Sequence, residues 1–198
     1  RGGGGCPLVA LATAAASGAG AGGWQRGPLA GRRRVVTYDH RGTGDPDADG
    51  PYDVDRLAAD LGAVLAAAEA EADQMRGFGV GGAVALRYTR ERGVRSLTLV
   101  GTAPGDAVDE AGLARCYPGA ADAAAVRATL PALFSGAFRD ADPSLLLRVV
   151  DWLRAEDAPP RVLHALVAAW LDYTPDPPAA ATTPAALRRG PRRPRLCP

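Results

Sequence analysis

An α/β fold with a mostly parallel sheet, followed by an all-helical stretch, is predicted by three observations. Between Arg34 and Val100, β-branched or apolar runs alternate with helical patterns in the order strand, helix, strand, helix, strand. That is the grammar of a parallel sheet with crossover helices. After Asp106 only helical patterns follow. At 47% apolar and 23% charged residues over 198 positions, the composition is that of one packed domain and not of a disordered chain.

Each element has its own reason. Gly2–Gly5 is low-complexity and reads as loose, Leu8–Ala12 is a short apolar run that reads as a buried strand, and Thr13–Gly23 is a small-residue loop. Arg34–Tyr38 is β-branched and aromatic, hence a strand, and Asp39–Pro51 is dense in Gly, Asp and Pro, hence a loop. Asp53 or Asp55 can cap a helix whose Val54, Leu57, Leu61, Val64, Leu65 and Ala68 share one face. Gln74–Arg76 makes a poor strand before the cluster Gly77–Gly82. A helix over Ala83–Arg92 follows, with Gly93 placed to end it, and then the buried strand Ser96–Val100. Ala123–Phe134, Ser144–Ala155 and Arg161–Leu171 read as helices. The last is the cleanest, with Val162, Leu163, Leu166, Val167, Trp170 and Leu171 in a stripe. From Pro175 onward the chain is rich in Pro, Ala and Arg without periodicity and reads as a disordered tail.

Composition narrows the function classes. The net charge is +1, but residues 175–198 carry five Arg and one Asp, leaving 18 Arg against 21 acids in the rest. A slightly acidic body argues against a nucleic-acid binder, and the tail arginines read as solvated. Lys, Asn and Ile are absent and Gly with Pro makes 42 residues, which fits a GC-rich coding sequence. Cys6, Cys116 and Cys197 stand far apart, so neither a disulfide framework nor a metal site is expected, and a reducing cytoplasm is the expected compartment. No run reaches the roughly 18 apolar residues of a membrane span, and Leu8–Ala16 behind Arg1 makes a poor signal peptide. The chain does not begin with Met, so an incomplete N-terminus is expected.

Two motifs compete for residues 77–82, G-F-G-V-G-G. Read as G-x-G-x-x-G, they form a dinucleotide fingerprint, which requires an apolar strand before it and an acid at the end of the next strand. Asp73, Gln74, Met75 and Arg76 make a weak strand, and the next one ends at Val100–Gly101 without an acid. No cofactor is therefore expected. Read as G-x-S-x-G, the same residues form a nucleophile elbow, with Gly77 and Gly81 supplying the small flanks and Gly79 standing where the serine belongs. Gly79 relieves the strain of that turn and removes the attacking oxygen at once.

At these residues the chain resembles the α/β-hydrolase superfamily. R-V-V-T-Y-D-H-R-G-T-G at 34–44 is similar to that family's strand and D-x-R-G-x-G loop, and R-G-V-R-S-L-T-L-V-G-T-A-P at 92–104 to the strand after the nucleophile helix. R-C-Y at 115–117 and P-A-L-F-S-G-A-F-R-D-A-D-P at 131–143 resemble the helical cap of oxoadipate enol-lactonases and aminoacrylate hydrolases. The resemblance implies a partial α/β-hydrolase fold: a loose N-terminus at 1–7, an incomplete core at 8–113, a helical cap at 114–173 and a tail at 174–198. It departs from the family at Pro46, where a serine is usual. It departs again at Ala12–Ala14, where a His-Gly pair is usual, and beyond the cap, where strands carrying the acid and the histidine are usual.

The resemblance implies a small-molecule ester, lactone or amide hydrolase. Val80 would donate its backbone N–H to an oxyanion, and Asp106 is the weak candidate for the acid. His40 reads as structural or solvated and His164 as an ordinary helix residue, so no triad assembles with Gly79. The expected protein is an impaired or inactive hydrolase, the alternatives being a non-catalytic small-molecule binder and, behind it, a dinucleotide-binding fragment. The composition change after Tyr173 suggests an interrupted reading frame. Strands absent from both outer edges of the family's sheet predict two open edges and marginal stability. Sequence leaves the oligomeric state and the substrate open.

Overall fold

Among the described residues, five strands form one parallel sheet: β1 (Leu8–Ala12), β2 (Arg34–Thr37), β3 (Gln74–Phe78), β4 (Ser96–Val100) and β5 (Ala185–Arg188), in the spatial order β2-β1-β3-β4-β5. The structure, a computed structural model, describes residues 8–12, 23–31, 33–43, 50–70, 74–111, 123–155, 158–175 and 185–188. Registers run Val9↔Val35 between β1 and β2, Val9↔Gln74 between β1 and β3, and Phe78↔Val100 between β3 and β4. The path goes from β1 outward to β2, then returns to β3 on the other side of β1, so the strand order reverses between β1 and β3. In open parallel sheets such a reversal opens a crevice at the carboxyl ends of the strands, where ligands bind.

The helices are α1 (Gly23–Ala30), α2 (Val54–Ala67), α3 (Val80–Arg92), α4 (Ala123–Leu133), α5 (Gly136–Ala141), α6 (Pro143–Ala155) and α7 (Pro160–Leu171), with a 3₁₀ turn at Gly105–Ala107. Asp53 is the N-cap of α2, accepting from the Arg56 N–H at 2.7 Å. Gly93 closes α3 at φ 67°, its N–H donating to the Thr89 carbonyl at 2.8 Å. The core lies where α2, α3 and α7 meet the sheet, with Leu57, Leu61, Met75, Val84, Leu166 and Trp170 all fully buried. Trp170 donates its indole N–H to the Ala103 carbonyl at 3.0 Å, which satisfies the ring's one polar atom in the core.

Several expectations shift. The strand expected at Gln74–Arg76 extends to Phe78 and is central, with Met75 and Gly77 buried and Arg76 and Phe78 outward. Its polar residues occupy one face, which a run-of-apolars criterion misses. The following helix begins at Val80, not Ala83, because Gly81 and Gly82 are tolerated in its first turn by close packing. Helices α1 and α5 were not expected; α1 carries Pro28 and α5 has only six residues. Of the expected cap at 114–173, α4, α5 and α6 pack on one another while α7 joins the core. The tail at 174–198 is corrected at four residues: Ala185–Arg188 pairs with β4 in register Leu97↔Ala185. An unpaired backbone edge accepts a strand of low propensity because pairing, not side-chain preference, satisfies its N–H and C=O groups. β4 is thus interior, and the sheet's edges are β2 and β5. The N-terminal seven residues, 13–22, Cys6, Arg115–Tyr117 with Cys116, and Cys197 with the rest of the tail lie outside the described residues.

Candidate functional site

The turn between β3 and α3 is tightly constrained. Gly79 sits at φ 56°, ψ −126°, a region open to glycine and strained for L-residues. Its N–H donates to the Val100 carbonyl at 3.1 Å, and its own carbonyl accepts from the Gly82 N–H at 2.8 Å. A Cβ on Gly77 would lie 2.5 Å from the Gly81 carbonyl oxygen, and one on Gly82 would lie 2.7 Å from Thr102 Oγ1. Strand and helix therefore approach too closely for a side chain at 77, and Thr102, after β4, leaves no room for one at 82. This is the strand–turn–helix context that the elbow reading requires.

Position 79 projects from the carboxyl end of β3, beside the reversal between β1 and β3. Val80 opens α3, so its N–H lacks an acceptor within the helix and is oriented with the positive end of the helix dipole. An oxygen bearing partial negative charge is the group such a donor suits. At position 79 the turn has no side chain with which to attack a carbonyl.

The remaining candidates lie elsewhere. Asp106 is exposed on the 3₁₀ turn, whose Gly105 N–H donates to the Tyr173 carbonyl at 2.8 Å. That turn docks the loop after β4 onto the end of α7. His40 follows β2, which lies two strand spacings from β3, roughly 9–10 Å. It is 1% exposed and meets the Tyr38 ring edge-on at 5.1 Å, and its carbonyl accepts from the Thr43 N–H at 2.9 Å and the Thr43 hydroxyl at 2.7 Å. It is a structural residue. His164 is exposed on α7.

Sequence reading missed what secures the loop carrying His40. Arg41 grips Asp60 of α2 through two bonds, Nε–Oδ2 at 2.7 Å and Nη2–Oδ1 at 2.6 Å, and donates from Nη1 to the Gly50 carbonyl at 3.2 Å. The Asp60 bond holds the guanidinium's proton affinity above its ordinary value. Beneath it the Tyr38 phenol is buried; burial, with a smaller push from Asp60, raises it well above the usual tyrosine range. A loop of small and acidic residues gives no sign of which acid on a helix 19 positions later its arginine will take.

Among the described residues, no group of three or more His, Cys, Asp or Glu could hold a metal ion, and no helix is long and apolar enough to cross a membrane.

No protein-family model matches the chain. It is 38% identical over 120 residues to RutD of Azorhizobium caulinodans, which is named for carbamate hydrolysis; the match covers 58% of this chain and 43% of that protein. The chain thus spans less than half the length of this relative. Among solved structures it superposes on the enol-lactonase of Burkholderia xenovorans with a TM-score of 0.73 at 21% identity, over 93% of this chain and 72% of that one. A hydrolase from Pseudomonas aeruginosa matches with a TM-score of 0.61 at 26% identity, over 88% of this chain and 67% of that one.

Proposed function

We propose that this chain, an α/β-hydrolase-fold protein, is a disarmed relative of small-molecule ester, lactone and amide hydrolases that binds a carbonyl compound at its elbow. The observation that carries this reading is Gly79, which holds the elbow's backbone conformation and brings no attacking oxygen. The names of the relatives support the ligand class: a carbamate hydrolase and an enol-lactonase both act on a small carbonyl compound. Val80 N–H is the donor to the ligand's oxygen, and Asp106 is the remaining, weak candidate for an acid. A slightly acidic body and dispersed cysteines support a cytoplasmic protein without a nucleic-acid partner or cofactor.

The test has two arms on the 198-residue chain. A panel of esters, lactones and amides is expected to give no turnover above the buffer background; turnover above about 1 s⁻¹, an ordinary enzyme rate, would overturn the disarmed reading. Calorimetry with the matching carboxylates and amides is expected to give saturable binding without product. Absence of binding across the panel would remove the ligand-binding half.

A further inference from the structure

Helix α7 touches the loops on both sides of the strand reversal. Near its start, Val162 packs on the loop after β2: a Cβ on Gly42, which stands at φ 75°, would lie 3.0 Å from Val162 Cγ2. Its other end fastens the loop after β4. The Trp170 indole N–H donates to the Ala103 carbonyl at 3.0 Å. The Tyr173 carbonyl accepts from the Gly105 N–H at 2.8 Å, and a Cβ on Gly105 would overlap the Leu171 carbonyl. Val162 and Trp170 are eight residues apart, about 12 Å along a helix. β2 and β4 are three strand spacings apart, about 14 Å. The helix thus has the length to reach from one loop to the other. The elbow lies within that span. The Val100 carbonyl holds the Gly79 N–H at 3.1 Å, and Thr102 fills the space beside Gly82 in the first turn of α3. Residues 100–105 therefore grip the elbow on one side and the end of α7 on the other.

We propose that α7 is a brace across the carboxyl ends of the strands, and that Trp170 is the positioning residue through which it fixes the elbow. The path runs from the indole to Ala103, along the main chain to Val100, and across to the Gly79 N–H. Val162, Leu166 and Trp170 share one buried cluster with Val80, the first residue of α3, so the brace also rests on the helix that the elbow opens. Hydrogen bonds along its length make an α-helix move as a unit. Releasing either end of α7 therefore loosens the loops at both. This role is independent of what the elbow binds. It means that the turn is ordered before a ligand arrives, so that binding there carries no cost for ordering it.

The test is amide hydrogen exchange, followed by NMR on the nitrogen-15-labelled full chain and its Trp170→Phe, Val162→Ala and Asp53→Ala variants. The readout is the Gly79 amide. The controls are the Ala68 and Gly93 amides, which donate to the Val64 and Thr89 carbonyls at the far ends of α2 and α3. Asp53→Ala, which removes a cap remote from the brace, should change all three rates by one common factor, that of the global loss of stability. Trp170→Phe keeps an aromatic ring and removes the donor. It should speed Gly79 about fivefold beyond the controls, the factor that corresponds to one ordinary hydrogen bond. Val162→Ala touches only the other end of α7, yet it should also speed Gly79 beyond the controls. A residue that merely packs there would not move that rate. Should Trp170→Phe fail to fold, Val162→Ala carries the test. A Gly79 rate that follows the controls in either folded variant would overturn the brace and leave the carbonyl-binding reading untouched.

Discussion

At Gly79 the backbone stands at φ 56°, ψ −126°, where a side chain costs about 1–3 kcal/mol. Gly79→Ser is therefore expected to lower stability by that amount, read as a drop in the urea midpoint at unchanged slope. His40 is buried against Tyr38 and His164 faces solvent, so the new hydroxyl gains no imidazole from either and turnover should stay at background. An unshifted midpoint would mean that the turn is less constrained than its dihedrals state. Gly77→Ala faces a harder obstacle, since its Cβ meets the main chain of Gly81 and Gly82, which cannot swing aside. Tyr38 gives a pH-dependent expectation. Its phenol is raised by burial, so the stability it contributes is fully present below the unfolded value near pH ~10 and is lost as pH rises beyond it. Denaturation midpoints from pH 8 to 10.5 should fall for the native chain and fall less for Tyr38→Phe.

Among the elements, loop and helix ends show where sequence speaks and where it is silent. Asp53→Ala removes the cap of α2 and should cost about 1 kcal/mol in chemical denaturation; the cap was legible to within two residues, because Asp53 and Asp55 both stand at the start of a 3.6-residue apolar period and only the backbone decides for Asp53. The Asp142 carboxylate accepts from the Leu145 N–H at 2.9 Å and from the Ser144 hydroxyl at 2.7 Å. The Ser144 bond, with Leu145 behind it, holds that carboxyl below its ordinary value. Its support for the start of α6 is therefore present above the usual carboxylate range and fades as pH falls below it. Asp60→Ala strands the half-buried Arg41 guanidinium and should cost about 2 kcal/mol, measured against an Arg41→Ala, Asp60→Ala double variant that should recover part of the loss. This pair was illegible because it joins positions 41 and 60 through tertiary packing that no local period encodes. The tight turn was legible at Gly77, where close approach leaves glycine as the residue that fits; Gly82, packed on Thr102, was not singled out, Gly81 having been expected as the other small flank. β3 was half-legible: Met75 and Gly77 face inward, but Gln74 and Arg76 disguise the strand.

For the whole molecule, β5 bears on how the sheet ends. It converts β4 from an edge into an interior strand, and an unguarded parallel edge invites pairing with other chains. Removal of residues 184–198 is expected to turn a dispersed protein into oligomers on size-exclusion chromatography with light scattering; a truncated chain that stays dispersed would show that β5 guards nothing. The expected marginal stability has its own check, since a sharp cooperative thermal transition in a dispersed native chain would count against it. The same strand order has a consequence during synthesis. β4 ends at Val100 and its partner β5 begins at Ala185, so about 85 residues must be translated between them. At roughly 5–20 residues per second, the ribosome leaves the β4 edge open for about 4–17 s. The hazard to this chain is therefore a matter of elapsed time on the ribosome, and slowing elongation over the helices between β4 and β5 would lengthen it.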